Sequence, residues 1–407
     1  MSINITLFYS ILHLLVDGIC AFAMFAIFLP QREGMLFLIL YNFCAFALQM
    51  PFGVILDMLQ IRLEQRAHFY IKLQLDQADA MPENKNWLAT KDFFAIENKK
   101  QMLCLITVAV GLLFTILGTV THPVILGIGN ALFHIGGGVG TIHEDTAKNW
   151  NGKGLGVFVA PGALGLYLGT IAGKNGIRNS LLWIMCALLA GLFVALLYLW
   201  NRSINGKKNK QIKGYELLLK QMQLKQMQLK QMQLKEMQLK QTLCLAVCCV
   251  LVVILRSYIG MAVVFPWKTT ALSGLLAVLA IVLGKMAGGI IGAKYGFGKT
   301  TIISLLFAAI CYIGSAWMLM GIAALLLFNM TMPITLYLLV SKLPQLSGFC
   351  FGLLTFALFL GFLPEYFGLR AIVNGNIIGS VGSIISLLLL QYCFIDKNKG
   401  KIKKSSN

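Results

Sequence analysis

Charge is what this chain lacks. Only 12% of its 407 residues are charged, with Asp and Glu numbering 15, against about 25% charged in an ordinary soluble chain. The ten Cys have no paired spacing, which excludes a disulfide or zinc framework. Most of them (Cys20, Cys44, Cys104, Cys186, Cys311, Cys350) lie in apolar runs and read as small apolar residues. Met1 to Ser10 has no basic n-region and no small-residue cleavage site, so the first apolar run is read as a span and not as a removable signal. What the chain has in excess is apolar: 58% hydrophobic residues and 40 Gly. A water-soluble domain of that composition would expose large sticky patches, a difficulty that lipid removes.

A helix needs about 20 apolar residues to cross the hydrocarbon. Runs of that length predict spans at 5–29, 35–58, 102–121, 123–143, 154–174 and 179–200, then 242–266, 270–293, 300–320, 321–341, 346–364 and 371–394. The predicted class is therefore all-α, a polytopic membrane protein of about twelve transmembrane helices in two pseudo-symmetric six-helix bundles. The first bundle occupies 1–201 with a polar insert at 60–100. A linker follows at 202–241, then the second bundle at 242–395 and a basic tail at 396–407.

The net charge of +19 suggests nucleic acid until the basic residues are placed. With the N-terminus inside, 27 of the 34 Lys and Arg fall in predicted cytoplasmic segments and five in outer loops: Arg32, Lys174, Arg178, Lys268 and Arg370. That asymmetry is the positive-inside pattern. It predicts cytoplasmic termini, a plasma-membrane location with some attraction to anionic lipid heads, and no nucleic-acid partner. In the insert, Pro82, Asn84 and Asn86 are expected to break any continuous helix. In the linker, the pentad Gln221-Met-Gln-Leu-Lys225 repeats through Lys240 with one change, Glu236. Five residues advance a helix by about 140°, so the leucines form no coiled-coil seam. The pentads read as low-complexity linker, helical by propensity.

The two halves repeat each other. Pro30 and Pro266 end the first and seventh spans at an offset of 236, and Gly53 and Gly289 share that offset. Asn130 and Asn329 differ by 199, a drop about the length of the insert. Gly156, Leu168 and Gly169 precede Gly348, Leu360 and Gly361 by 192. Ordered offsets of this kind mark a 6+6 duplication, a transporter signature.

The motifs on that frame resemble the major facilitator superfamily over nearly the whole chain outside 60–100 and 201–241. Gly53-Val-Ile-Leu-Asp57 keeps the Gly and Asp of its loop between the second and third helices. Met58 and Gln60 replace the basic residue and second Gly, and Arg62 fits the basic tail. The second copy runs Gly289-Ile-Ile-Gly-Ala293-Lys294-Tyr-Gly296 and then Lys299, with Ala293 at the Asp position. The resemblance implies a cytoplasmic gate with Asp57 near a helix N-terminus. In the fifth span, Gly156, Pro161 and Gly165 match a motif of the family's proton-coupled drug antiporters, while Ala160 and Leu164 do not. Pro frees a carbonyl and small residues allow close packing, so a bend is expected there. Asn130-Ala-Leu-Phe-His134 followed by Gly136-Gly137-Gly138 is similar to the fosmidomycin-resistance-like branch.

Charges inside a span are expensive and mark function. His13 and Asp17 lie one turn apart on one face of the first helix. Arg256 falls mid-span in the seventh, Lys285 in the eighth. The offset of 236 puts Arg256 opposite Cys20, one turn beyond Asp17, so Asp17 and Arg256 are expected at nearly the same depth and as a pair across the cavity. In the resembled family the first, fourth, seventh and tenth helices line that cavity. Asp17 is then the candidate proton carrier, its proton affinity set by burial against a nearby cation, with His13 as relay. Arg256, Lys285, His134, Asn130 and Asn329 are candidate solute contacts. No cofactor or metal is expected. Two cations against one carboxylate point to an anionic or zwitterionic small organic solute. The expected activity is secondary active transport by alternating access, coupled to protons and directed outward. The alternatives are an uptake symporter of the same fold and, more remotely, a membrane enzyme using His143, Glu144 and Asp145 at the inner face. The sequence does not speak to oligomeric state, and a monomer suffices for this mechanism.

Overall fold

A computed structural model describes residues 4–77, 82–176, 179–208, 236–368 and 375–405. Among them there is no strand. Eleven helices are long and apolar enough to cross a membrane, and a twelfth is shorter. In chain order they are α1 (Ile5–Phe28), α2 (Gly34–Arg66), α3 (Ile96–Val120), α4 (Pro123–Ala147), α5 (Lys153–Lys174) and α6 (Ser180–Arg202). The second set is α7 (Lys240–Ala262), α8 (Ala271–Tyr295), α9 (Phe297–Ile313), α10 (Met318–Lys342), α11 (Pro344–Tyr366) and α12 (Gly375–Phe394). Pro30 and Pro266 lie just beyond α1 and α7, where a proline stops a helix at no cost to it.

Two boundaries differ from the expectation. The ninth and tenth spans part at Gly314–Trp317, not at Met320 and Gly321. The Ser315 carbonyl accepts the Trp267 indole N–H at 3.1 Å and its hydroxyl donates to Asn376 at 2.8 Å, so the turn is fixed by partners distant in sequence. Flanking Ile313 and Met318 keep the local hydropathy high and hide it. In the insert, one helix runs to Gln77 and the next, Pro82–Val120, begins at the proline expected to break it. Proline at a first helical position loses an N–H that had no partner anyway. Asn84 and Asn86 are helical. Most of the pentad repeat falls at 209–235, outside the described residues; its last copy, from Glu236, is helical and runs into α7.

Within the first half, α1 packs most closely on α5 and α3 on α4; within the second, α7 packs on α11 and α12, and α9 on α12. The halves meet along two seams, α2 on α11 and α5 on α8. In the first seam Gly53 faces Gly348 so closely that a Cβ on either would strike the other's backbone. In the second, a Cβ on Gly156 would lie 3.1 Å from Gly289 Cα. These are the residues matched by the offsets of 236 and 192. A two-fold operation exchanging the halves turns Gly53–Gly348 into Gly289–Gly156, so the duplication read from sequence is present in the packing.

Both seams are also joined at their opposite ends. Asn42 Nδ2 donates to the Tyr366 hydroxyl at 2.6 Å, and the Tyr167 hydroxyl donates to the Ala271 carbonyl at 2.6 Å. Each seam thus has contacts near both of its ends, with a polar centre between them.

Candidate functional site

The polar centre is built from α1, α4 and α5. Helix α5 breaks at Ala160 and Pro161. Pro161 has no N–H for the Val157 carbonyl, and the break also exposes the carbonyl of Phe158. Two side chains of α1 take these acceptors, one turn apart. The Ser10 hydroxyl is shared between the Thr6 carbonyl of its own helix at 2.7 Å and the Val157 carbonyl at 3.1 Å, and His13 Nδ1–H donates to Phe158 at 2.8 Å. The fifth-helix motif thus serves the site directly: Pro161 releases the acceptor, and Gly156 and Gly165 let α5 approach α8 and α1.

The next bond fixes the chemistry. His134, on α4, donates Nδ1–H to the Asn130 carbonyl of its own helix at 2.8 Å. A carbonyl can only accept, so both imidazoles carry their neutral-form proton on Nδ1. Their Nε2 atoms, each left with a lone pair, face one another at 2.9 Å. Two lone pairs at that distance repel; one added proton between them makes an N–H···N hydrogen bond. Asp17 stands beside the pair, with Oδ2 3.2 Å from His13 Nε2 and Oδ1 3.6 Å from His134 Nε2. Asn130 Nδ2 donates to Asp17 Oδ1 at 3.1 Å and lies 3.6 Å from Cys20 Sγ. His13 and His134 are buried, at 6% and 9% exposure. Gly162 covers the cluster on the α5 side.

His13, Asp17 and His134 are the one group among the described residues with the atoms to ligate a metal. Two imidazoles on a tetrahedral zinc, each at about 2.0–2.1 Å, stand about 3.3 Å apart. The observed 2.9 Å is the spacing of a shared proton.

Arg256 does not join this cluster. It is 7% exposed, and its Nη1 has no hydrogen-bond partner. It lines a separate cavity of about 30 Å³ with Val159, Thr335, Phe351 and Thr355 among the other walls. The expected Asp17–Arg256 pair is therefore not formed in this arrangement. Equal depth along two helices does not fix direction around them, and His134 reaches Asp17 from within the same half. Lys285 stands within electrostatic range of Asp17, His134 and Arg256. Asn329 turns back to the Leu325 carbonyl of its own helix at 2.8 Å, unlike its counterpart Asn130.

The residues expected to form a gate lie at the end of the bundle where α2 meets α11. Asp57 accepts from the backbone N–H of Gly348 at 2.8 Å and of Phe349 at 2.7 Å, capping α11. Gly289 is at the matching crossing. Gly296, with φ +97°, joins α8 to α9 in a conformation that favours glycine. Arg62, Lys294 and Lys299 are exposed, and the Lys294 ammonium lies 5.0 Å from the Tyr295 ring.

Glu144 and Asp145 form no joint site with each other. Glu144 accepts from the backbone N–H of Ile5 and Thr6 at the start of α1 and from Lys148. Asp145 accepts from the backbone N–H of Gly152 at 2.6 Å and Gly154 at 2.7 Å, capping α5. Under the duplication that cap would come from position 293, which is alanine. Asp145 supplies the missing carboxylate from a different helix. Ser10, Gly162 and the Asp145 cap were not singled out from the sequence. The proline break and the small residue beside it were the only signals for the first two.

No family model and no curated protein matches the sequence. Solved structures do. A variant of the E. coli fucose:proton symporter FucP is similar over 96% of this chain and 98% of its own, at 10% identity and a TM-score of 0.51. FucP in an outward conformation, described as a Major Facilitator Superfamily transporter, is similar over the same shares at 9% identity and a TM-score of 0.52. With its duplicated seams, its broken fifth helix and this likeness over nearly its full length, the chain has the major facilitator superfamily fold.

Proposed function

We propose that the protein is a proton-coupled secondary transporter of a small organic solute, working by alternating access between its two halves. The observation that carries this reading is the meeting of His13 and His134 through bare Nε2 atoms beside Asp17. The cluster holds one proton between the rings and offers a carboxylate for another. It lies where three helices of one half converge. Other groups within reach of Asp17 are Cys20, Tyr41 and Lys285. A rocking motion that moves α1 against α4 or α5 would part the imidazoles and release the proton to the side then open.

The fifth-helix motif supports export. The second reading, uptake by symport, is favoured by the likeness to a fucose:proton symporter. An enzyme using Glu144 and Asp145 is not proposed, because both carboxylates serve as helix caps. The solute is anionic or zwitterionic, since Arg256 is a buried cation near the centre and Lys285, partly buried, lies within electrostatic range of it. The location is the cell membrane, with both termini cytoplasmic. A drug and metabolite susceptibility panel, with and without the protein, identifies the solute. Flux across an imposed pH gradient in proteoliposomes then gives the direction. Asp17→Asn should abolish uphill accumulation while leaving exchange at equal concentrations partly intact. Wild-type uphill rates in that variant would sink the proposal.

A further inference from the structure

We infer that the cavity beside Arg256 receives the anionic group of the solute, and that this group is a single carboxylate on an apolar body. The inference rests on the transport reading and names the class of solute. Arg256 is more than nine-tenths buried and its Nη1 lacks a partner. A guanidinium in such surroundings is costly unless an acceptor of opposite charge meets it. Among the described residues no carboxylate forms an ion pair with it, and an anionic group entering the cavity from outside would meet Nη1.

The cavity walls restrict what can arrive. Its volume of about 30 Å³ exceeds the roughly 10–15 Å³ that admits a water but is far below that of a whole solute, so the cavity as it stands has room for a compact head group. The planar fork of a guanidinium matches a carboxylate. Val253, Leu336, Phe351 and Leu354 form much of the remaining wall and are apolar. The two hydroxyls present already donate to backbone carbonyls, Thr335 to Met332 and Thr355 to Gly352, each at 2.9 Å. A polyhydroxylated body would find its groups unpaired there, and beside Arg256 the walls offer no second cation, Lys285 not being among them. An aliphatic or aromatic monocarboxylate meets both conditions.

The test uses the full-length purified protein and follows its thermal unfolding midpoint with sodium hexanoate, hexanamide, sodium chloride and sodium phosphate. Hexanoate should raise the midpoint saturably, and the neutral amide and both inorganic salts should not. In Arg256→Gln the hexanoate shift should vanish. In Arg256→Lys, which keeps the charge but not the fork, the half-saturating concentration should rise about tenfold or more. The Lys variant also decides the matter if the Gln variant fails to fold. Asp17→Asn should retain the shift, which separates this inference from proton coupling. A shift that survives in either Arg256 variant at wild-type concentration overturns the inference. So does a shift reproduced by chloride or by the amide, or no shift with hexanoate. Hexanoate binding without any protein-dependent flux would instead overturn the transport reading and leave the anion site standing.

Discussion

At Gly162 the space of a side chain is taken by His13 and Asp17. A Cβ there would collide with His13 Nε2 and lie 2.5 Å from Asp17 Oδ2. Overpacking of a filled core costs about 1–3 kcal/mol, and here the atoms displaced are those of the proposed proton site. Gly162→Ala is therefore expected to lower the unfolding midpoint modestly and to remove uphill flux, whereas Gly191→Ala, with open space around it, should change neither. His13 and Asp17 were legible as a pair because one turn of helix puts them on one face. His134 and Asn130 were legible only as separate polar residues in a span. Their meeting with Asp17 depends on how α4 rotates against α1, and no periodicity in either helix encodes that. The Asp17–Arg256 pair, expected in one state of the cycle, is not formed here for the same reason: the repeat offset carries depth, and depth is one coordinate of three.

A break and a cap do most of the positioning among the helices. In α5 the proline break presents carbonyls to Ser10 and His13, and the Nδ1–H of His13 is fixed by that bond. Pro161→Ala would let the helix reclaim the Val157 carbonyl and pull Phe158 away from His13. Expression and folding should survive, since alanine is a good helix former, but the coupled rate should fall well below that of exchange. Flux assays with and without a pH gradient measure the ratio; an unchanged ratio would mean the break is only packing. Asp57→Asn removes the charge from the cap on α11 and should cost about 1 kcal/mol, read as a lower unfolding midpoint and a larger fraction of protein open at that end. Asp145→Asn should destabilise by a similar amount without that opening. Hydropathy made eleven spans plain because lipid imposes the same length on each. It missed the turn at Gly314–Trp317, whose polar bonds reach across the fold, and Asn84 and Asn86, expected to help break the insert, are helical behind Pro82.

For the whole molecule the basic residues set the frame. Reporters fused at Gly206 and after Asn407 should both read cytoplasmic, and reporters at Lys268 or Glu365 external; Gly206 found outside would invert the orientation proposed above. The capped end of the bundle would then face the cytoplasm, and its two seams are unequal. Asp57 belongs to one half and its two backbone donors to the other, so opening that end must break both bonds. Asp145 and its donors lie within the first half, and their bonds persist through any movement between halves. Where α5 meets α8 at this end, glycine slides on glycine, and among the described residues no hydrogen bond spans the crossing. The ancestral duplication supplied two equivalent closures. With Ala293 in place of an acid, one crossing keeps a clasp between the halves and the other has none, so in the proposed orientation loss of Asp57 is expected to shorten the time the cytoplasmic end stays shut.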